Sequence, residues 1–286
     1  MAPRLLLGTR MSSTVNSDDS KRITPFLKWA GGKRWLADQC IELFPKKFNV
    51  YYEPFLGGGA MFFRLLPATA VLADTNRELI ATYRTLSASH KALAARVQEM
   101  HDAHSRDMYY SVREAVPKKN IDVATRFIYL NRTCWNGLYR VNREGKFNVP
   151  IGTKTNVVMD SDDWSSVSAA LRKAEILVSD FEAIVDRAGK NDIIFADPPY
   201  TVKHNNNGFV KYNETIFAWA DQIRLFESLL RAKQRGASIF CTNADHQSIW
   251  DLYREHFRIE RVNRSSVISG ISAHRGATSE LLILSD

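Results

Sequence analysis

The sequence predicts an α/β fold: one domain built from two chain segments, with a helical and hairpin insertion between them. Three observations carry this. Residues 50–55 read as a strand entering a glycine turn, followed by a helix beginning near Ala60 and a second strand at 70–74. Strand-like runs return near 175–179, 193–196 and 237–242, with apolar residues at helical spacing over 219–235. Between the two halves, residues 86–130 read as helical and polar. A strand–helix–strand unit closes by a right-handed crossover, which makes the sheet parallel. The end of the chain, 257–264 and 279–284, reads as two strands around a Ser/Gly-rich loop, an antiparallel pair.

The 286 residues suffice for one large α/β domain with a sizeable insertion, and 45% hydrophobic with 11% aromatic residues supports a real core rather than disorder. Thirty-nine Lys and Arg against 31 Asp and Glu give a net charge of +8, which suits a polyanionic partner but does not by itself require one. Cys40, Cys134 and Cys241 lie far apart and form neither a disulfide framework nor a zinc-ligand pattern, so no metal is expected and the compartment reads as reducing. The N-x-[ST] matches at Asn131, Asn213 and Asn263 therefore carry no glycosylation meaning. No apolar run approaches a membrane span. Residues 1–22 read as a disordered tail, too weakly apolar for a signal peptide and carrying Asp18-Asp19 against a transit peptide; Met11 is an alternative start.

Four strings carry chemistry. The first is Asp197-Pro198-Pro199-Tyr200, directly after the apolar strand Ile193-Ile194-Phe195-Ala196, where open α/β sheets bind ligands. Two prolines fix φ and supply no N–H, so the turn is rigid and its carbonyls are free acceptors. A carboxylate, a rigid carbonyl and an aromatic ring suit one task, the holding of an exocyclic amino group whose lone pair is delocalised into its ring. The second string is Glu53-Pro54-Phe55-Leu56-Gly57-Gly58-Gly59, a turn at which a ligand approaches the backbone closely. Phe62 stands where a pyrophosphate fingerprint needs its third glycine. Asp74 ends the next strand, either as an acceptor for ribose hydroxyls or as the N-cap of the helix starting near Asn76.

The third string, Phe26-Leu27-Lys28-Trp29-Ala30-Gly31-Gly32-Lys33, is open between a ligand loop and a basic loop with a half-buried Trp. The fourth runs from Asn131 to Arg140 and continues through the hairpin Tyr139–Val149, with Arg143-Glu144-Gly145 at its turn, to Pro150. Arginine, asparagine and aromatic side chains on such a hairpin suit base-edge reading and base-step insertion, and suit equally a solvated hairpin packed on its own helices. His90, Gln98, Glu99, His101 and His104 are assigned to a solvated helix face.

With these strings in this order, residues 23–286 resemble the Dam-type, α-group DNA adenine-N6 methyltransferases. The resemblance implies a class I S-adenosylmethionine-dependent methyltransferase fold, with a seven-stranded, mostly parallel sheet. The catalytic domain would comprise 23–80 and 161–286, and the target-recognition insert 81–160. It implies S-adenosyl-L-methionine as cofactor, contacted by Trp29 and Lys33, lined by Glu53, Phe55, Gly57 and Gly59, and held at its ribose by Asp74. Asp180 and Phe181 would flank its adenine, and Asp197 would border it. Asp197, Pro198, Pro199 and Tyr200 would form the catalytic loop. Lys28, Trp135, Asn136, Leu138, Arg140 and Pro150 match positions that read or wedge into GATC sites. Trp135 and Tyr139 fall where the family varies, and Lys203-His204-Asn205-Asn206-Asn207 does not align with it.

The partner implied is duplex DNA, with no membrane and no obligate protein partner, the chain acting as a monomer or a weak dimer on DNA. The location implied is the bacterial or phage-infected cytoplasm. Three rivals stand beside this reading. An amino-methyltransferase on RNA or a protein amide is disfavoured by the hairpin. An inactive DNA-binding homologue is disfavoured by the intact Asp197 and Tyr200. A nicotinamide oxidoreductase is disfavoured by the missing glycine.

Overall fold

The computed structural model describes residues 13–14, 22–142, 145–202, 217–264 and 278–285. Strands β1 (Ser13–Thr14) and β2 (Lys47–Phe48) form a small antiparallel pair. The rest of the tail expected over 1–22, Arg22 excepted, lies outside the described residues, as do Arg143, Glu144 and 203–207.

The main sheet holds seven strands: β3 (Tyr51–Glu53), β4 (Ala70–Asp74), β5 (Ala174–Val178), β6 (Ile193–Ala196), β7 (Ser238–Ala244), β8 (Arg258–Arg264) and β9 (Thr278–Leu284). Their spatial order is β5-β4-β3-β6-β7-β9-β8. β3 to β7 are mutually parallel, and β9 runs antiparallel between β7 and β8. The expected antiparallel pair at the end of the chain is therefore present, set into the sheet rather than appended to it.

Residue alternation assigns each strand side chain to one of two cores, since successive strand residues face opposite sides of a sheet. Tyr51, Leu72, Ile193, Phe195, Phe240 and Leu282 join one core, with Leu79, Tyr83, Phe127 and Leu130 from the insert helices. Tyr52, Val71, Ile194, Ala196, Ile239, Cys241, Leu281 and Ile283 join the other, beneath the helices Trp219–Gln234 and Gln247–Tyr253. Strands covered on both faces read as unbroken apolar runs, which is why β6 was legible as IIFA.

The insert begins on a long helix, Arg77–Asp102, followed by Arg106–Glu114 and Asn120–Thr133. The first is capped by Asn76, whose Oδ1 accepts from Leu79 N at 3.0 Å. The cap reading of Asp74 is thereby corrected: two residues upstream, its carboxylate accepts instead from Gly57 N (3.1 Å) and Asn76 N (2.9 Å). The solvated-face reading also fails for two histidines. His101 Nδ1 accepts from Val157 N at 3.2 Å, and His104 Nδ1 lies 2.8 Å from the Tyr129 hydroxyl. The helical wheel shows only one helix, and both partners come from elsewhere in the insert. Arg132, in the fourth string, is fully buried; it binds Asp162 through its two terminal nitrogens (2.5 and 2.6 Å) and also binds the carbonyls of Phe26 and Val157. It pins the insert to the domain and does not face a ligand.

The hairpin is held by Asn142 N to Lys146 O (2.8 Å), Asn148 N to Arg140 O (3.3 Å) and the bridge Val141–Phe147. Among the described residues no helix is long and apolar enough to cross a membrane.

Candidate active site and neighbouring hairpin

β3 and β6 are neighbours, and from them the chain winds outward in opposite directions. That is the topological switch point of the sheet, where a crevice opens outside the strand carboxyl ends. Glu53 ends β3 and Ala196 ends β6, so the glycine turn and the Asp197–Tyr200 loop, 140 positions apart in the chain, flank one crevice.

On the β3 side, Gly57 (φ +46°) and Gly59 (φ +64°) adopt the left-handed conformation that disfavours any side chain. A Cβ at position 57 would lie 2.7 Å from Trp29 Nε1, so the indole packs directly on the turn. Gly57 N donates to Asp74, and its carbonyl accepts the Tyr83 hydroxyl at 3.0 Å. Burial raises the Asp74 carboxyl above its ordinary value, against the backbone N–H groups of Asn76, Gly57 and Thr75. Phe55 stacks on Phe181 (centroids 5.4 Å) and meets Phe217 edge-on at 5.7 Å. Asp180 caps the short helix Phe181–Val185 through Glu182 N (3.0 Å) and takes both Arg224 guanidinium nitrogens, at 3.1 and 3.0 Å. That guanidinium lies 4.4 Å from the Phe181 ring centroid.

On the β6 side, Asp197 Oδ1 accepts the Thr242 hydroxyl at 2.5 Å and lies 3.1 Å from Lys33 Nζ. Lys33, 4% exposed, also reaches Glu280 Oε2 (3.2 Å) and Gly31 O (2.9 Å), and lies 4.7 Å from the Tyr200 ring centroid. The Tyr200 hydroxyl donates to Glu280 at 2.7 Å. Burial raises the Asp197 carboxyl, with Lys33 and Thr242 opposing. Glu53, 2% exposed, is pushed by burial up to about 8, although the Tyr51 hydroxyl donates to it at 2.8 Å. Pro198 is buried, and Pro199 and Tyr200 are half-buried. The sequence reading missed Thr242, Glu280, Arg224 and Phe217. Of these, only Glu280 carried a signal, as the one ionisable residue of the terminal strand, directly before the apolar run Leu281–Leu284.

In the insert, Trp135 is 53% exposed and begins a turn in which Asn136 (φ +55°) and Gly137 (φ +64°) are left-handed. Asn136 and Pro150 are exposed, and Leu138 and Arg140 are half-buried. Arg140 Nε donates to Asn148 Oδ1 at 3.0 Å, and Trp135 N donates to Pro150 O at 3.0 Å. Lys28 meets the same turn: its backbone exchanges bonds with the Asn131 amide (2.9 and 2.7 Å), and its side chain packs where a Gly137 Cβ would be. Burial lowers its ammonium below the ordinary value. Lys28, Trp135, Asn136 and Leu138 therefore converge on one turn, with Arg140 and Pro150 beside it.

The strand order decides the class of protein. Counted within the main sheet alone it runs 3-2-1-4-5-7-6 with only the seventh strand reversed, the class I methyltransferase arrangement. Residues 29–268 match the family model of the D12 class N6 adenine-specific DNA methyltransferases, and the chain belongs to that family. It is 33% identical over 270 residues to the type II methyltransferase M1.LlaDCHI of Lactococcus lactis subsp. cremoris, covering 91% of this chain and 95% of that one. It is 32% identical to the type II methyltransferase M.MjaIII of Methanocaldococcus jannaschii, over 86% of this chain and 93% of that one. The DNA adenine methylase of Haemophilus influenzae is 31% identical, over 84% and 87%.

Proposed function

We propose that this chain transfers the methyl group of S-adenosylmethionine to N6 of an adenine turned out of duplex DNA, with GATC as its target. The observation that carries the reading is the Asp197-Pro198-Pro199-Tyr200 loop at the carboxyl end of β6, its carboxylate seated at the switch-point crevice beside the glycine turn. The residues around the crevice suit the cofactor: Asp74 offers a carboxylate at the strand end neighbouring the left-handed glycine turn, and Phe55 and Phe181 offer aromatic faces. Asp74 would hold the ribose, Asp180, Phe55 and Phe181 the adenine, and Trp29, Gly57 and Gly59 the remainder. When bound, S-adenosylmethionine supplies a methyl group on an electrophilic sulfonium.

The chain's own residues do the rest. The target base must leave the stack, at a cost of a few kcal/mol, because its N6 cannot be reached inside the duplex. Asp197 and the Pro198 carbonyl accept the two N–H bonds of the amino group, drawing its lone pair out of conjugation. Tyr200 stacks on the base. Lys28, Trp135, Asn136, Leu138, Arg140 and Pro150 form the DNA-reading surface, and the chain works as a monomer or weak dimer on duplex DNA.

The test is transfer of labelled methyl from S-adenosylmethionine to duplex DNA, RNA and protein, with methylation-sensitive sequencing of the DNA. Transfer to adenine in DNA, lost in a folded Asp197→Ala variant, is the expected result. Activity of that variant within tenfold of wild type overturns the catalytic assignment. Transfer confined to RNA or protein overturns the substrate, and a wild type that ignores GATC overturns the site.

A further inference from the structure

We propose that Glu280 is a positioning residue for the methyl transfer, holding the Tyr200 ring in the orientation that receives the target base. The proposal rests on the reading of Tyr200 as the stacking wall. The Tyr200 hydroxyl donates to Glu280 Oε2 at 2.7 Å, a bond spanning 80 positions of sequence. Glu280 is 8% exposed and sits on β9, where it pairs with Ala244 of β7 on one side and Val262 of β8 on the other. A side chain anchored on an internal strand is a fixed point for the ring it holds. The two prolines fix the backbone entering Tyr200 but leave the ring's own two torsions free. A hydrogen bond from the far end of the ring to a carboxylate removes that freedom, and hydroxyl–carboxylate bonds are among the shorter and stronger ones.

The same carboxylate oxygen lies 3.2 Å from Lys33 Nζ, which stands 4.7 Å from the Tyr200 centroid. The ammonium therefore covers one face of the ring, and the base stacks on the other. Glu280 fixes both the ring and the cation that blocks its wrong face.

The experiment measures kcat and the KM for DNA with labelled S-adenosylmethionine and unmethylated plasmid DNA, whose many short sites make the result independent of the target sequence. The variants are Glu280→Ala, Glu280→Gln, Tyr200→Phe, Tyr200→Ala and the double variant Tyr200→Phe/Glu280→Ala. Glu280→Ala is expected to lower kcat at least tenfold with KM within threefold. Tyr200→Phe, which removes only the donor, should fall comparably. The double variant should lie within threefold of Glu280→Ala, because Tyr200→Phe removes a bond that Glu280→Ala has already cut. Glu280→Gln, whose amide oxygen still accepts, should keep at least a third of wild-type kcat.

Multiplicative losses in the double variant would make Glu280 a general structural residue and overturn the proposal. So would Tyr200→Phe within threefold of wild type, a test that survives if Glu280→Ala does not fold. Tyr200→Ala within tenfold of wild type would instead overturn the reading of the loop itself, and the role of Glu280 with it.

Discussion

The Trp29 indole lies nearly parallel to the Tyr139 ring, with centroids 5.9 Å apart and planes 16° from parallel. Trp29 packs at the same time on the glycine turn, and Tyr139 immediately precedes Arg140 in the hairpin. One aromatic contact thus joins the glycine-turn side of the crevice to the hairpin. Phe127 extends the stack, 6.4 Å from Trp29 and 4.7 Å from Tyr139, and the Tyr139 hydroxyl donates to Glu78 at 2.9 Å.

Tyr139→Leu removes both the stack and the hydrogen bond. An aromatic pair contributes about 0.5–1.5 kcal/mol beyond area burial, and a hydrogen bond about 1 kcal/mol. A loss of about 1–3 kcal/mol in urea unfolding is expected, with about 1 kcal/mol for Tyr139→Phe. Equal losses in the two variants would assign the whole effect to the Glu78 bond.

Asp74→Ala should weaken S-adenosylmethionine binding by one or two charge-assisted hydrogen bonds, each at most about 1.5–3 kcal/mol. It also frees the Gly57 and Asn76 N–H groups, so the turn loosens where the cofactor would lie. DNA affinity without cofactor should stay nearly unchanged. Calorimetry showing equal cofactor affinity would reduce Asp74 to a support of the turn.

Arg140→Ala should cost about 1–3 kcal/mol at one base pair, the discrimination of a bidentate contact to guanine O6 and N7. Its Nε is occupied by Asn148, which fixes the direction of the guanidinium fork. The salt-dependent affinity from phosphate contacts should remain. Methylation of all single-base variants of GATC reads this directly: a uniform loss with the ranking of sites intact would make Arg140 a phosphate or structural contact.

Glu53 makes stability pH-dependent. Its carboxyl rises by burial from an ordinary 4.5 to about 8, so between those values the folded chain binds a proton that the unfolded chain releases. Its contribution is therefore fully present below about pH 4.5 and is lost as pH rises toward 8, with a slope of at most about 1.4 kcal/mol per pH unit. Glu53→Gln keeps the neutral form at every pH. The stability difference between variant and wild type should grow in the variant's favour from pH 5 to pH 8. A difference independent of pH across that window would show that Glu53 does not change its charge there.

What the sequence determined by itself is what depends on neighbours along the chain. The run at β6, the glycines at 57 and 59, the prolines at 198 and 199 and the end strands declare themselves through apolar periodicity or backbone freedom, both properties of a few consecutive residues. From these the parallel sheet followed, and with it the place of the Asp197–Tyr200 loop at a strand end. What only the tertiary structure decided is which distant side chains meet. Asp197 meets Thr242 45 positions away, Tyr200 meets Glu280 80 away, Asp180 meets Arg224 44 away, and Arg132 turns inward to Asp162 rather than outward to a ligand. The partners of His101 and His104 belong with these, whereas the cap at Asn76 is a local contact with Leu79 N three residues on. A buried charge or polar group must find a partner wherever the fold brings one near, and no local pattern records which element that will be.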